Sequence, residues 1–191
     1  MGPVVLIGPA GAGKSTVGEL LAALLQRAFV DVDDVGHRFY EAIGQPVDQL
    51  VSRIEADGFA AAHRWWQPAR LAATAAIEEY PEAVIALGAG HSHFEDEDYA
   101  QAARRAFSGA FVVLMPPSPG PDESVRVLRE RCVLGKGTDW VRDGRDYLVE
   151  SVTSTQNRTL ADLVMYDHGR TADEVAGDIV RHVESAGLDE S

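Results

Sequence analysis

A single cysteine, Cys132, among 191 residues removes two possibilities at once: no intramolecular disulfide can form, and no metal site built from several thiolates exists. Basic side chains are also scarce. Seventeen Lys and Arg face thirty Asp and Glu, a formal net charge of −13, so there is no surplus of cations to displace counterions from nucleic acid or to dock on anionic lipid. Small-molecule partners are what this balance leaves. No apolar run approaches the roughly 20 residues of a membrane-spanning helix. The first residues lead straight into a strand pattern without a charged, cleavable leader, and the expected location is cytoplasmic. Neither an internal repeat nor a low-complexity linker interrupts the chain. Its length suits one well-buried core, so a single domain over 1–191 is expected.

Directly after Val4-Val5-Leu6-Ile7 comes Gly8-Pro9-Ala10-Gly11-Ala12-Gly13-Lys14-Ser15-Thr16, a full match to G-x-x-x-x-G-K-[ST]. The order matters as much as the match. A buried strand delivers the chain to a tight turn, and glycines let backbone N–H groups converge on an anion. The following helix aims its positive end at the same point. Gly11, Ala12, Gly13, Lys14, Ser15 and Thr16 are therefore expected to hold the phosphates of ATP, with Lys14 reaching the β- and γ-phosphates and the Ser15 hydroxyl on Mg²⁺.

Further along, periodicity predicts a helix from Lys14 to about 26 and a short strand over 28–34 whose last residues become acidic, with Asp31, Asp33 and Asp34. Carboxylates at the C-terminal end of such a strand lie on the ligand side of an α/β sheet. Asp31 and Asp33 are the candidates, and Asp34 is the expected helix cap. Helices are predicted over 35–43 and 47–56, and an alanine-rich segment over 58–80 has the propensity to run for several turns. The adjacent Trp65 and Trp66 cannot share a helix face, so one is assigned to the core. A strand over 83–87 stops in Gly88-Ala89-Gly90, a turn that lets backbone approach a ligand, followed by His91, Ser92 and His93. Then come an acidic helix, a strand over 110–115 and a helix over 122–131. Beyond these the pattern gives a glycine-punctuated mobile stretch over 133–140, a polar helix over 141–159 and a strand over 163–166. The last helix is capped by Thr171 with Glu174 in the capping-box position. Strands alternating with helices mean a parallel sheet covered on both faces.

Leu6-Ile7-Gly8 through Ser15-Thr16-Val17-Gly18, Phe29-Val30-Asp31-Val32-Asp33, Gly44, Asp57-Gly58-Phe59 and Leu87-Gly88-Ala89-Gly90 together resemble the shikimate kinase family, within the nucleoside-monophosphate-kinase-like P-loop kinases. The similarity runs over most of the chain. It implies a three-layer α/β/α fold with a five-stranded parallel sheet in the order 2-3-1-4-5. It also implies a substrate-binding helical region at about 34–80 and a lid over ATP at about 132–140. By the same resemblance, one carboxylate of the D-x-D pair lies near Mg²⁺ and the nucleophile and the other binds substrate hydroxyls. The sequence departs from the family in its acceptor half. Ala60 follows Phe59 where the family carries an arginine for the substrate carboxylate, Thr153 occupies the place of a second arginine with Arg158 the nearest basic residue, and the glycine turn reads Gly-Ala-Gly before His91.

The expected activity is ATP-dependent phosphorylation of a hydroxyl on a small polyhydroxylated or cyclic metabolite. Shikimate itself and a sugar acid of the gluconate type stand as alternative acceptors. A regulatory nucleotide switch is the alternative from another class, although the chain lacks a guanine-reading N-K-x-D and an Asp-ended third strand. In this scheme Ser15 and Asp31 hold Mg²⁺, and Asp33 orients the acceptor hydroxyl and takes its proton. Gly88, Ala89, Gly90 and His91 line the acceptor side. One of Arg126, Arg129 and Arg131, Arg129 foremost, is expected to neutralise the transferring phosphate, with Lys136 a second candidate. Cys132 reads as an inert buried thiol. Monomer and homodimer both remain open.

Overall fold

The run Val4–Ile7 forms β1, and all four side chains are fully buried. Such a strand has to be covered on both faces. The computed structural model describes residues 2–189 and places β1 at the centre of the sheet. In chain order there follow α1 (Lys14–Leu25), β2 (Phe29–Asp31), α2 (Val32–Val35), α3 (His37–Ala42), α4 (Val47–Asp57), α5 (Phe59–Trp65), α6 (Gln67–Ala73), α7 (Ala76–Glu79) and β3 (Val84–Ala86). The second part comprises α8 (Glu97–Ala106), β4 (Phe111–Leu114), α9 (Pro121–Lys136), β5 (Val141–Arg142), β6 (Arg145–Asp146), α10 (Tyr147–Thr153), α11 (Thr155–Leu160), β7 (Leu163–Val164) and α12 (Ala172–Asp189).

The main sheet is parallel in the order β2-β3-β1-β4-β7. This is the predicted 2-3-1-4-5 arrangement, with the last strand renumbered because a two-stranded hairpin, β5–β6, precedes it. Alternation along the strands divides the interior into two cores. Val4, Leu6, Val84, Val113 and Met115 pack with α1, α9, α10 and α12 on one face, through residues such as Leu21, Leu128, Leu148 and Ile179. Val5, Ile7, Ile85, Val112 and Leu114 face Tyr40, Trp66, Ala69, Ala73 and Phe107 on the other. Three layers result, and the C-terminal ends of β1, β2 and β3 open into one cavity.

Four local expectations are corrected. The polar stretch 141–159 is not one helix: Asp143 (φ 50°) and Gly144 (φ 76°) form the left-handed two-residue turn that closes β5 onto β6. Helix α10 begins only at Tyr147, where the Asp146 carboxylate accepts from the Leu148 and Val149 amides. The first half of the glycine-punctuated stretch is helical, since α9 runs through Gly135 to Lys136 and stops at Gly137 (φ 64°). The alanine-rich segment breaks into α5, α6 and α7, with Pro68 in the first turn of α6, where no backbone donor is needed. The cap of α2 is Asp31, which accepts from the Asp33 amide at 2.9 Å, rather than Asp34. Thr171 and Glu174 do form the reciprocal capping box that starts α12.

Candidate functional site

The donor half of the cavity is a piece of backbone. Gly8 (φ 141°), Gly11 (φ 78°) and Gly13 (φ 74°) adopt angles that side-chain-bearing residues avoid, and they coil the chain from β1 into α1. Space forbids a side chain as well: a Cβ on Gly8 would lie 3.0 Å from the Met115 carbonyl, and one on Gly11 2.9 Å from the buried Cys132 sulfur. The thiol's role is thus to pack beneath the loop. No side chain caps α1 at Gly13, so the first-turn amides face the cavity, next to the exposed Ser15 and Thr16. Arg131 pairs with Asp167 at 2.9 Å and also donates to the Gly11 carbonyl, bracing the loop from α9.

Lys14 donates to the carbonyls of Gly8 and Pro9, both at 3.0 Å. Its stem is partly exposed but its ammonium lies deep. Desolvation pulls its pKa down to about 8, against the opposing pull of the Asp33 and Asp31 carboxylates. A phosphate at this point would restore the charge balance that burial removes.

Across from the loop, the acceptor half is assembled from separate elements. Asp31 and Asp33 both line the cavity, which has a volume of about 610 Å³. Asp33 lies against the turn after β3: a Cβ on Gly88 would sit 2.6 Å from the Asp33 Oδ1 and 2.6 Å from His91 Nδ1. A Cβ on Gly90 would press on Arg70 Cδ at 3.1 Å and His63 Nε2 at 3.3 Å. Ala89, between them, packs into the core on the α1 side of the sheet. The turn therefore has no room for a side chain at Gly88, is tight at Gly90 and accepts a methyl at its middle.

Three histidines surround this turn. His91 is 7% exposed, and its Nε2 lies 2.8 Å from the Tyr40 hydroxyl. Burial lowers the His91 pKa to about 4, with the Gly88 carbonyl opposing and the Arg70 charge adding to the shift. His63 falls to about 3, through burial and then Arg70. His93 is lowered by burial and bonds to Ser154 Oγ at 2.9 Å. Burial in turn raises the Tyr40 hydroxyl to about 12. At neutral pH all three imidazoles are uncharged.

Arg70, which sequence reasoning missed, is 3% exposed. Its Nη1 donates to the Gly90 carbonyl (2.6 Å) and the His93 carbonyl (2.9 Å), and its Nη2 to the His63 carbonyl (3.3 Å). One guanidinium thus ties α5 and α6 to the turn after β3, stacked over the Phe94 ring. Its signal in the sequence was register: Ala62, Trp66, Ala69 and Ala73 form the buried stripe of α5–α6, and Arg70 falls within it.

The β5–β6 hairpin closes the cavity and brings a second missed arginine. Arg145 donates to Glu95 and to both oxygens of Glu150, each at 2.8 Å, and these carboxylates hold its pKa above the ordinary value. The turn residue Asp143 accepts from the Ala60 amide at 2.8 Å, capping α5 from the hairpin. Phe59 stacks on His63 and meets Trp140 and Tyr147 edge-on. Lys136 lines the cavity, whereas Arg129, Arg126 and Arg131 do not. Arg129 is spent on Asp146 and the Asp139 carbonyl at the base of the hairpin, and Arg126 on Glu130. Thr153 and Arg158 are exposed and off the lining. Trp66 is core and Trp65 stacks under Arg53. No described helix is long and apolar enough to cross a membrane.

Known proteins share this fold and part of this sequence. Shikimate kinase 2 of Shigella dysenteriae serotype 1 is 42% identical over 90 residues, 46% of this chain and 44% of its own length. The chain thus matches less than half the length of this curated relative. The shikimate kinase from Acinetobacter baumannii in complex with shikimate superposes with a TM-score of 0.69 at 21% identity, covering 98% of this chain and 96% of that one. The enzyme from Aquifex aeolicus gives 0.63 at 22% identity, over 97% and 98%. At such identities these structures establish the fold. The family model "Shikimate kinase" matches residues 10–184, from the phosphate loop to α12, and the chain belongs to the shikimate kinase family.

Proposed function

We propose that the protein is an ATP-dependent kinase that transfers the γ-phosphoryl group to a hydroxyl of a small polyhydroxylated acceptor. One observation carries this reading: the Lys14 ammonium and the Asp33 carboxylate line a single cavity and feel each other's charge, one at the phosphate loop and the other at the Gly88 turn. Phosphoryl transfer needs positioning and charge neutralisation more than covalent chemistry, and these residues supply both. The loop amides and Lys14 hold the β- and γ-phosphates. Asp33 accepts a hydrogen bond from the attacking hydroxyl and takes its proton late in the transfer. The hairpin residues 137–147 cover the site and exclude water. In place of Arg129, Lys136 is the cation we assign to the transferring phosphate, since it lines the cavity beside Lys14, whereas Arg145 is held by Glu95 and Glu150.

The residues present also fit Mg²⁺. Ser15 offers an exposed hydroxyl and Asp31 a carboxylate that spends one oxygen on the Asp33 amide, both hard oxygen donors. Among the described residues no three acidic, His or Cys side chains converge, as expected of an ion shared with nucleotide phosphates. Bound there, Mg²⁺ would neutralise charge on those phosphates.

The test is ADP release with and without a panel of hydroxylated metabolites. Turnover should depend on the acceptor. Lys14→Ala should lower it at least about a hundredfold and weaken ATP binding, while Asp33→Asn should lower it by a similar factor with ATP binding retained. Slow hydrolysis indifferent to every acceptor would instead favour a nucleotide switch.

A further inference from the structure

We propose that His91 touches the attacking hydroxyl directly, donating from Nδ1 to the oxygen that Asp33 holds from the other side. This deepens the kinase reading and rests on it. The starting point is the space above Gly88. The position a Cβ would take there lies 2.6 Å from Asp33 Oδ1 and 2.6 Å from His91 Nδ1. The two atoms are thus no farther apart than twice that distance, and His91 Nδ1 has no hydrogen-bond partner. One hydroxyl oxygen bridges such a span with two hydrogen bonds of ordinary length. Both residues line the cavity, and His91 is almost fully buried. A buried ring nitrogen without a partner is costly, and a ligand group that meets it removes the cost.

The other nitrogen of the ring decides what Nδ1 can do. Burial raises the Tyr40 hydroxyl to about 12, so it keeps its proton, and among the described residues it bonds only His91 Nε2, at 2.8 Å. A buried O–H with one acceptor in reach donates to it. Nε2 is then the bare nitrogen of a neutral imidazole, and Nδ1 carries the hydrogen. The Gly88 carbonyl favours the same tautomer, since its pull raises the pKa of the ring, yet it does not complete a hydrogen bond with Nδ1. Tyr40 packs edge-on against Trp66 and lies nearly parallel to the His91 ring, which fixes the direction of the donor. Asp33 accepts and His91 Nδ1 donates. A hydroxyl complements that pair, and neither an ammonium nor a C–H group does. With its hydrogen toward Asp33 and one lone pair toward His91, the oxygen has a single lone pair left to meet phosphorus. His91 thus sets the rotation of the nucleophile, an orientation effect on the chemical step.

Two substitutions separate this contact from a purely structural role. Glutamine places an amide where Nε2 was and keeps the Tyr40 contact, whereas asparagine places one where Nδ1 was and loses it. Acceptor-dependent ADP release is measured on the intact protein with whichever of shikimate, gluconate and myo-inositol turns over fastest, alongside the denaturant midpoint. His91→Gln should keep most of its stability and lose at least about tenfold in kcat/KM for the acceptor, with the KM for ATP unchanged. His91→Asn should be less stable and yet recover most of that loss. The reverse order, an active glutamine variant beside a folded but inactive asparagine one, makes His91 an anchor for Tyr40 alone and overturns the proposal. Equal activity in the two variants overturns it as well. Should either variant fail to fold, Tyr40→Phe decides: it frees the ring to carry its hydrogen on Nε2 and should lower kcat several-fold, and an unchanged kcat overturns the proposal while the kinase reading stands. ADP release that ignores every acceptor overturns both.

Discussion

In the donor half of the cavity, six residues in a row, Gly11 to Thr16, form the wall, and what they offer is backbone amides, one ammonium and two hydroxyls. In the acceptor half the facing groups come from α2, α5, α6, the turn after β3, the β5–β6 hairpin and α10: Asp33, His63, Arg70, His91, Arg145 and Tyr147. The first half is fixed by local backbone geometry. The second is held by long-range bonds from side chains to carbonyls, with Arg70 as the central brace. A site made of backbone tolerates little change in sequence, whereas one made of side chains from six elements can change its ligand by exchanging one of them.

Removing the brace gives the largest expected effect. Arg70→Met leaves the carbonyls of Gly90, His93 and His63 without their donor and should cost about 3 kcal/mol of stability, read from denaturant midpoints. The remaining folded protein should bind an ATP analogue as before. Loss of ATP affinity in step with stability would show that the two halves are not independent.

Acid probes the same asymmetry. The His91 imidazole titrates near 6.5 in an unfolded chain and near 4 in the folded one; for His63 the folded value is about 3. Between those values the unfolded state takes up protons that the native state refuses. Stability should therefore be full above about pH 6.5 and drain as the pH falls, by about 3 kcal/mol through His91 alone. Melting temperature against pH, repeated with His91→Asn, should show a shallower decline in the variant. An unchanged slope would remove His91 from the account.

The finest comparison lies within one turn. Gly88→Ala forces a methyl between Asp33 and His91 and should reduce acceptor-dependent turnover by about a hundredfold through misplacement alone. ATP binding should be unaffected. Ala89→Gly, one residue on, should stay near wild type, and equal losses in the two variants would show that the turn as a whole, rather than the Gly88 face, sets the geometry.

Legibility in the sequence followed the same division. The phosphate loop and the ligand-side position of Asp31 and Asp33 were readable because each depends on neighbours in sequence: a strand before a glycine loop, a helix after it, acidic residues at a strand end. The strand order was available only through the family resemblance. Arg70 and Arg145 were not. Arg70 acquires its role only when α5–α6 meets the turn after β3, and Arg145 only when Asp143-Gly144 folds the hairpin back over the cavity. The Asp-Gly pair was visible, but the polar stretch around it carried enough helix propensity to obscure the turn. Arg129 failed as a candidate for a related reason, since proximity to the lid in sequence placed it at the hairpin's base, bound to Asp146.

The hydrogen bond from the Ala60 amide to Asp143 joins residues 83 positions apart. Helix α5 has only seven residues and no side-chain cap from its own flank, and a helix that short does not hold itself together in water. Its first turn is therefore on loan from the hairpin. Without that bond α5 would lose a cap worth about 1 kcal/mol, and His63 part of its footing with it. The acceptor-side wall at His63 and the seat of the β5–β6 hairpin are in that sense one feature of the fold: neither keeps its shape without the other.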